Sequence, residues 1–214
     1  MPKDSIIFDL DGTLIDSAAS ILASLQVVFD EASILPSQAL NENLIGPPLQ
    51  QIILEVLGDE HQDSIPELIK RFKFHYDTNG YLNTVVYTGI QEMLVKLKHK
   101  NIDLYIATNK RIAPTQSILN HLGWTDFFKK VYALDYFQPA LPDKSTMLSR
   151  ILKDLEKDAH DLVYVGDRAE DAIAANKNSI PFLWATWGYG EGVGNTEKIG
   201  VLNYPAQIYQ GWFQ

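Results

Sequence analysis

Two carboxylates two residues apart are the first groups in this chain able to do chemistry together. In Asp9-Leu10-Asp11-Gly12 they follow the apolar run Ile6-Ile7-Phe8, and in extended backbone the side chains at i and i+2 share a face. One carboxylate of such a pair can attack an electrophile while its neighbour gives and takes a proton. Gly12 lets the chain turn directly afterwards. The same four residues also build turns and Asx motifs, so their surroundings must decide between the two readings.

Two further apolar runs of strand length end in a polar residue: Leu104-Tyr105-Ile106-Ala107 before Thr108, and Leu162-Val163-Tyr164-Val165 before Gly166-Asp167. Val131-Tyr132-Ala133-Leu134 and Pro181-Phe182-Leu183-Trp184-Ala185 are two more candidate strands. Runs that are apolar on both faces suit the buried strands of a parallel sheet. Helical periods fall between them, near 88–99, 112–122, 144–157 and 169–178. The alternation predicts an α/β fold, a doubly wound parallel sheet of Rossmann-like form with right-handed crossovers. Ligands of such sheets bind beyond the carboxyl ends of the strands, where Asp9, Thr108 and Asp167 converge.

From Ser17 to Tyr87 the alternation stops. This stretch is mostly helical in period and is broken at Leu35-Pro36-Ser37 and Gly46-Pro47-Pro48. It predicts a small helical domain, 17–87, inserted after the first strand of a core made of 1–16 and 88–214. Asp16 and Ser17 suit a helix N-cap before 18–33, and Ser64 with Glu67 resembles a capping box for 65–78. The Gly-rich stretch 188–194 reads as a loop and lacks the Lys-Ser/Thr ending of a P-loop.

Composition narrows the partners. With 214 residues and 46% hydrophobic content the chain can bury a sizeable core. A net charge of −9 repels nucleic acid polymers and anionic membranes, so a small anionic ligand would need a local positive site. There is no cysteine, which removes disulfides, thiolate catalysis and Cys-type zinc sites. The N-terminal residues hold no signal-peptide core, and no apolar run approaches the roughly 20 residues that cross a bilayer. The expectation is a cytoplasmic protein, monomer or homodimer. His61, His75, His99, His121 and His160 are scattered without metal-binding spacing, and Trp184, Trp187 and Tyr189 read as packing residues.

The wider string Asp9-Leu10-Asp11-Gly12-Thr13-Leu14-Ile15-Asp16-Ser17 resembles the first motif of the haloacid dehalogenase superfamily throughout. Ile106-Ala107-Thr108-Asn109-Lys110 is similar to its second motif, and Gly166-Asp167-Arg168-Ala169-Glu170-Asp171 to its fourth. The third motif departs from the usual Lys-Pro-x-Pro and reads Gln138-Pro139-Ala140-Leu141-Pro142-Asp143-Lys144-Ser145. Lys144 is taken as its lysine because it opens a predicted helix and precedes Asp167 by 23 residues, whereas Lys129 and Lys130 come too early.

The resemblance implies a magnesium-dependent phosphatase. Asp9 would attack phosphorus, and Asp11 would act as general acid and then base. Mg2+ would be held by Asp9, the Asp11 carbonyl and Asp167, with Asp171 ordering its water. Thr108 and the Asn109 amide would hold phosphoryl oxygens, and Lys144 would keep Asp9 ionised. Four clustered carboxylates would in any case repel one another and an incoming phosphate without a cation. Arg168 and Lys110 lie next to these residues and are placed against a substrate anion or at the surface.

The position of the helical insertion resembles the α-helical-cap subfamily. Leu44-Ile45-Gly46-Pro47-Pro48-Leu49 is similar to the cap loop of phosphoglycolate phosphatase-like and 5′-nucleotidase-like members, which sets Gly46 near the substrate. Thr186-Trp187-Gly188-Tyr189-Gly190 also resembles the phosphoglycolate phosphatase-like group. The implied reaction is hydrolysis of a small phosphorylated substrate, a phosphoglycolate-like phosphomonoester, through an aspartyl-phosphate intermediate on Asp9. A 5′-nucleotidase, a pyrophosphatase or a β-phosphoglucomutase-like mutase are the alternatives within the family, and a non-catalytic binding protein is the alternative outside it. Dehalogenases lack the second carboxylate that Asp11 supplies, and no cap lysine is placed for a phosphonatase.

Overall fold

In chain order the elements are β1 (Ser5–Phe8), β2 (Ile15–Asp16), α1 (Ala18–Ala32), α2 (Leu49–Leu57), α3 (Ile65–Thr78), β3 (Val85–Val86), α4 (Ile90–His99), β4 (Asp103–Thr108), α5 (Ile112–His121), β5 (Lys130–Ala133), α6 (Lys144–Leu155), β6 (Leu162–Gly166), α7 (Ala169–Lys177), β7 (Phe182–Ala185) and β8 (Ile199–Leu202). The structure, a computed structural model, describes residues 4–190 and 199–212. Met1 to Lys3 and the second half of the Gly-rich stretch, from Glu191, lie outside the described residues.

Six strands form one sheet in the order β5-β4-β1-β6-β7-β8, and each neighbouring pair runs parallel. The strands are apolar on both faces because each face is covered. Ile6, Phe8, Ile106 and Val165 pack with Met93, Leu94 and Leu97 of α4 and Ile118 of α5. Ile7, Tyr105, Ala107 and Tyr164 point the other way, onto Met147, Leu148 and Ile151 of α6 and Ala172 and Ala175 of α7. Successive residues of a strand serve opposite faces, so four-residue strands suffice to join two cores.

Helices α1, α2 and α3 bury a cluster of their own that includes Leu25, Phe29, Ile53, Val56, Leu68 and Phe72. Their spacing in α2 is helical, with Leu49, Ile52, Ile53, Val56 and Leu57 at i, i+3, i+4, i+7 and i+8. This three-helix segment joins the sheet domain through β2 and β3, an antiparallel pair with Ile15 opposite Val86 and Asp16 opposite Val85. No helix among the described residues is long and apolar enough to cross a membrane.

Two capping expectations are corrected. Ser17 stands at the N-cap position of α1, but its side chain makes no capping bond because the hydroxyl donates to Asp11. Asp16 Oδ1 accepts from Ala18 N–H instead (3.1 Å). Ser64 does not cap α3 either. A short 3-10 helix, Asp59–Ser64, runs directly into α3, and Glu67 turns to Arg71 (3.2 Å).

Candidate active site

Strand register brings the chemistry-bearing residues together. Phe8 is level with Ile106 of β4 and with Val165 of β6. Asp9 therefore leaves the sheet between Ala107-Thr108 on one side and Gly166-Asp167 on the other. Its own N–H donates to Val165 O (2.8 Å), so the backbone carrying this carboxylate is still held by the sheet.

Lys144 forms the floor. Asp143 Oδ1 accepts from Thr146 N–H (2.7 Å) and so caps α6, which fixes Lys144 as the first residue of that helix. Its Nζ lies 3.0 Å from Asp9 Oδ1 and 2.6 Å from Asp171 Oδ1. Tyr164 Oη donates to the same Asp171 oxygen (2.9 Å), and Arg168 N–H donates to the other (3.1 Å). Burial works against the charge on Lys144, but Asp171 and Asp9 outweigh it and hold the ammonium above its ordinary pKa. Burial, followed by Asp171, keeps Tyr164 a neutral donor. Lys129 and Lys130 are engaged elsewhere, with Asp103 (2.7 Å) and Asp154 (2.6 Å).

Asp167 is fully buried and clamped. Thr13 Oγ1 donates to its Oδ1 (3.1 Å) and Tyr189 N–H to its Oδ2 (2.8 Å). Gly12, at φ +84°, packs so closely that a Cβ there would come within 2.3 Å of Asp167 Oδ2. Trp184 Nε1 donates to the Asp167 carbonyl (3.1 Å) and Trp187 Nε1 to the Thr13 carbonyl (3.0 Å). Tyr189 Oη accepts from Ser17 N–H (2.8 Å) and Ala18 N–H (3.0 Å) and donates to Asp16 Oδ1 (2.9 Å). It thereby caps α1 in place of the diverted Ser17. The three aromatic residues read as packing thus make specific hydrogen bonds at the site.

Asp11 faces the helical segment. Leu10 O accepts from Leu14 N–H (2.9 Å) and Ile15 N–H (3.1 Å), a tight loop that turns the Asp11 carboxylate away from Asp167. Its Oδ1 takes the Ser17 hydroxyl and lies 3.1 Å from Lys110 Nζ. Lys110 also donates to Tyr76 Oη of α3 (3.1 Å) and sits over that ring, 4.8 Å from its centre. Its backbone N–H donates to Thr108 Oγ1 (3.1 Å), so Thr108, fully buried at the end of β4, keeps its hydroxyl proton for another acceptor. Burial opposes the charge on Lys110, and Asp11 and Tyr76 more than restore it.

Four contacts tie the helical segment down over the site. Asn109 Nδ2 donates to Gly46 O (3.0 Å), and Arg168 Nη1 donates to Ile45 O (2.6 Å). Arg111 makes two bonds to Asp77 (2.9 and 2.6 Å), and Lys110 holds Tyr76. Gly46, at φ +131°, lies against Arg168, where a Cβ would come within 2.5 Å of Arg168 Cδ. Arg168 is thus committed to the loop before α2. Asn109 Oδ1 is buried with no hydrogen-bond partner among the described residues, an acceptor left for a donor brought by a ligand or solvent.

The donor set fits a hard divalent cation. Carboxylate oxygens of Asp9, Asp167 and Asp171 all lie within 4.8 Å of one another. These three carboxylates face Lys144, leaving two negative charges in a buried site. Burial first, then Asp171 and Asp167 against the pull of Lys144, pushes the Asp9 carboxyl well above its usual range. Burial and Asp171 push Asp167 up to about 7. An oxygen-coordinated cation of charge two relieves both, and all-oxygen ligands suit magnesium. The Asp11 carboxylate is turned to Ser17 and Lys110, which leaves its backbone carbonyl as the group it can offer.

The structure therefore brings Asp9, Asp11, Thr108, Lys144, Asp167 and Asp171 into one site, with Asn109, Gly46 and Arg168 at its margin. Ser17, Thr13, Tyr189 and the pairing of Lys110 with Tyr76 are additions. The alternation of aromatic residues and glycines over 187–190 was the signal available for Tyr189.

A buried, oxygen-lined acidic cluster lies at the carboxyl edge of a doubly wound parallel sheet, with an inserted helical segment over it. Residues 6–185 match the family model described as haloacid dehalogenase-like hydrolase, and the chain belongs to that family. It is 28% identical to a 5′-nucleotidase of Pseudomonas aeruginosa, covering 87% of this chain and 84% of that one. To a phosphoglycolate phosphatase of Agrobacterium fabrum it is 31% identical, over 86% of this chain and 80% of that one. A solved structure of a haloacid dehalogenase-like hydrolase from Streptococcus pneumoniae superposes with a TM-score of 0.86 at 25% identity, covering 99% of both chains.

Proposed function

We propose that the chain is a magnesium-dependent phosphatase that hydrolyses a small phosphomonoester through a phospho-aspartate on Asp9, with 17–87 acting as a cap over a core of 1–16 and 88–214. The observation that carries the reading is the division of labour between two carboxylates. Asp9 is held by Lys144 at 3.0 Å in the floor, and Asp11 is turned to the opposite side by Ser17 and Lys110. The names of the relatives, a 5′-nucleotidase and a phosphoglycolate phosphatase, point to phosphate esters of small alcohols.

In the first step an Asp9 carboxylate oxygen attacks phosphorus and the bond to the alcohol oxygen breaks. The leaving oxygen takes the bond's electron pair and the Asp11 proton. In the second step water attacks the phosphorus of the Asp9 acyl phosphate and gives its proton back to Asp11. The Asp9 oxygen leaves as carboxylate, inorganic phosphate departs, and the site is restored. The Thr108 hydroxyl and the Asn109 N–H hold equatorial oxygens, and Lys144 works against the burial of Asp9, favouring its ionised form together with the bound cation. Asp9, Asp167 and the Asp11 carbonyl would hold magnesium, which when bound would neutralise charge on the phosphoryl group.

The test is Asp9→Asn. The variant is expected to release phosphate from an aryl phosphate at least about 10³-fold more slowly than the parent. The parent, quenched in acid during turnover, should carry a phosphate adduct on the peptide containing Asp9. A variant as fast as the parent removes the nucleophile assignment.

A further inference from the structure

The site has two compartments, and their chemistry differs. The outer one, where Asp9 and Lys144 are reached, is rimmed by Arg168, Glu170, Asp143 and Lys177. The inner one lies on the Asp11 side, about 500 Å3 of empty space including its open mouth, and all three cap helices line it. Ile21 comes from α1, Leu49 and Ile52 from α2, and Phe72 and Tyr76 from α3.

Resting on the phosphatase reading, the position of the proton donor decides which compartment receives the alcohol. Asp11 must reach the leaving oxygen, and Asp11 lines the inner compartment. The phosphoryl group lies over Asp9, and everything beyond the ester oxygen enters the inner chamber. What that chamber can satisfy is limited. Arg111 is spoken for by two bonds to Asp77 and cannot turn to a ligand without releasing α3. Lys110 uses two of its three N–H donors on Asp11 and Tyr76, which leaves one. On the same side Asn109 Oδ1 is an open acceptor and Tyr76, which accepts from Lys110, keeps its hydroxyl proton for another acceptor, while the facing wall, Ile21, Leu49, Ile52 and Phe72, offers no polar side-chain atom.

We propose that the preferred substrates are phosphomonoesters of compact alcohols with an apolar, aromatic or branched-alkyl frame toward α1 and α2, bearing polar groups only on the side of Lys110, Tyr76 and Asn109, and that sugar phosphates are disfavoured. A hexose brings several hydroxyls into this chamber. Each one buried without a partner costs on the order of tenfold in transition-state binding. The apolar frame instead exchanges water for the wall of α1, α2 and α3. Leu49 is the wall residue best suited to a probe, because it is half-buried and begins its helix.

The experiment compares benzyl phosphate with glucose 6-phosphate, both esters of primary alcohols, on the full chain with magnesium, and includes phosphoglycolate. Benzyl phosphate is expected to show a kcat/KM at least about tenfold above glucose 6-phosphate. In Leu49→Gln that ratio should fall at least about fivefold, since the amide adds a polar partner to the wall. The ratio is insensitive to any unfolded fraction. A sugar ester hydrolysed as well as benzyl phosphate, a ratio unmoved by Leu49→Gln, or turnover of phosphoglycolate alone overturns the chamber assignment and leaves the phosphatase standing. No turnover of any of the three esters overturns the phosphatase reading itself.

Discussion

Two buried lysines serve the two aspartates of the site, and they are built differently. Lys144 lies between Asp9 and Asp171, with Tyr164 behind Asp171, and every partner belongs to the sheet domain. Lys110 lies between Asp11 and Tyr76, and Tyr76 belongs to the helical segment. In the proposed mechanism the surroundings of the nucleophile, Asp9, are therefore complete without the helical segment. Those of the proton donor are complete only with the cap in place. A site divided this way can hold its reacting carboxylate ready while making proton transfer conditional on closure over a substrate.

Substitution at each lysine probes the contrast, and the floor should give the larger effect. Lys144→Met leaves Asp9 and Asp171 buried without their cation. It should lower kcat about 10³-fold and destabilise the fold by roughly 3–5 kcal/mol, read by turnover and by chemical denaturation without added metal. Turnover within about tenfold of the parent would mean the floor does not depend on this lysine. Lys110→Met removes the partner of Asp11 on the side that faces the helical segment. About a 10²-fold loss in kcat/KM is expected, with stability changed by less than about 2 kcal/mol. If both variants lose equal stability, the two lysines are equivalent and the contrast fails.

Magnesium separates them further. Asp167 is pushed up to about 7 and Asp9 well above its usual value, so below neutral pH protons occupy oxygens that the cation needs. The concentration of magnesium for half-activation should rise as pH falls through about 7, approaching tenfold per unit when one proton must leave, and level off once both carboxyls are ionised. At a pH where both carboxyls are ionised, Lys144→Met should lower that concentration, because a positive charge beside the acidic cluster is gone; at lower pH its loss also pushes Asp9 and Asp167 further up and works against magnesium. Lys110→Met, which acts on the far side of Asp11, should change it less. The smallest effect is expected for Tyr76→Phe, about two- to fivefold in kcat/KM, since only the cap's hydrogen bond to Lys110 is removed. A loss as large as that of Lys110→Met would place Tyr76 in the proton transfer itself.

The parts of this arrangement that the sequence announces are those set by neighbours along the chain. Ile6-Ile7-Phe8, Leu104–Ala107 and Leu162–Val165 read as buried strands because both faces are covered, and Asp9, Thr108 and Asp167 stand where those strands end. Lys144 was legible from its helix start and its distance to Asp167. Ser17 was not, because a serine before a helix has a local use as a cap, and only the fold puts Asp11 within its reach. Tyr189 caps a helix 171 residues earlier, and Lys110 meets Tyr76 across a separation of 34. Such partners leave no periodicity to read. The pair β2 and β3 is equally silent, since two-residue strands are too short to alternate.

That short ribbon has a consequence for how such a molecule can be altered. Because Asp16 faces Val85 directly, the inserted segment leaves and re-enters the sheet domain at adjacent points, and a tight turn could join them without moving a strand of the main sheet. The cap is therefore a cassette. In the proposed reading its three helices carry the wall that sorts the alcohol, and exchanging them as a unit should leave β1, β4 and β6 holding Asp9, Thr108 and Asp167 in register.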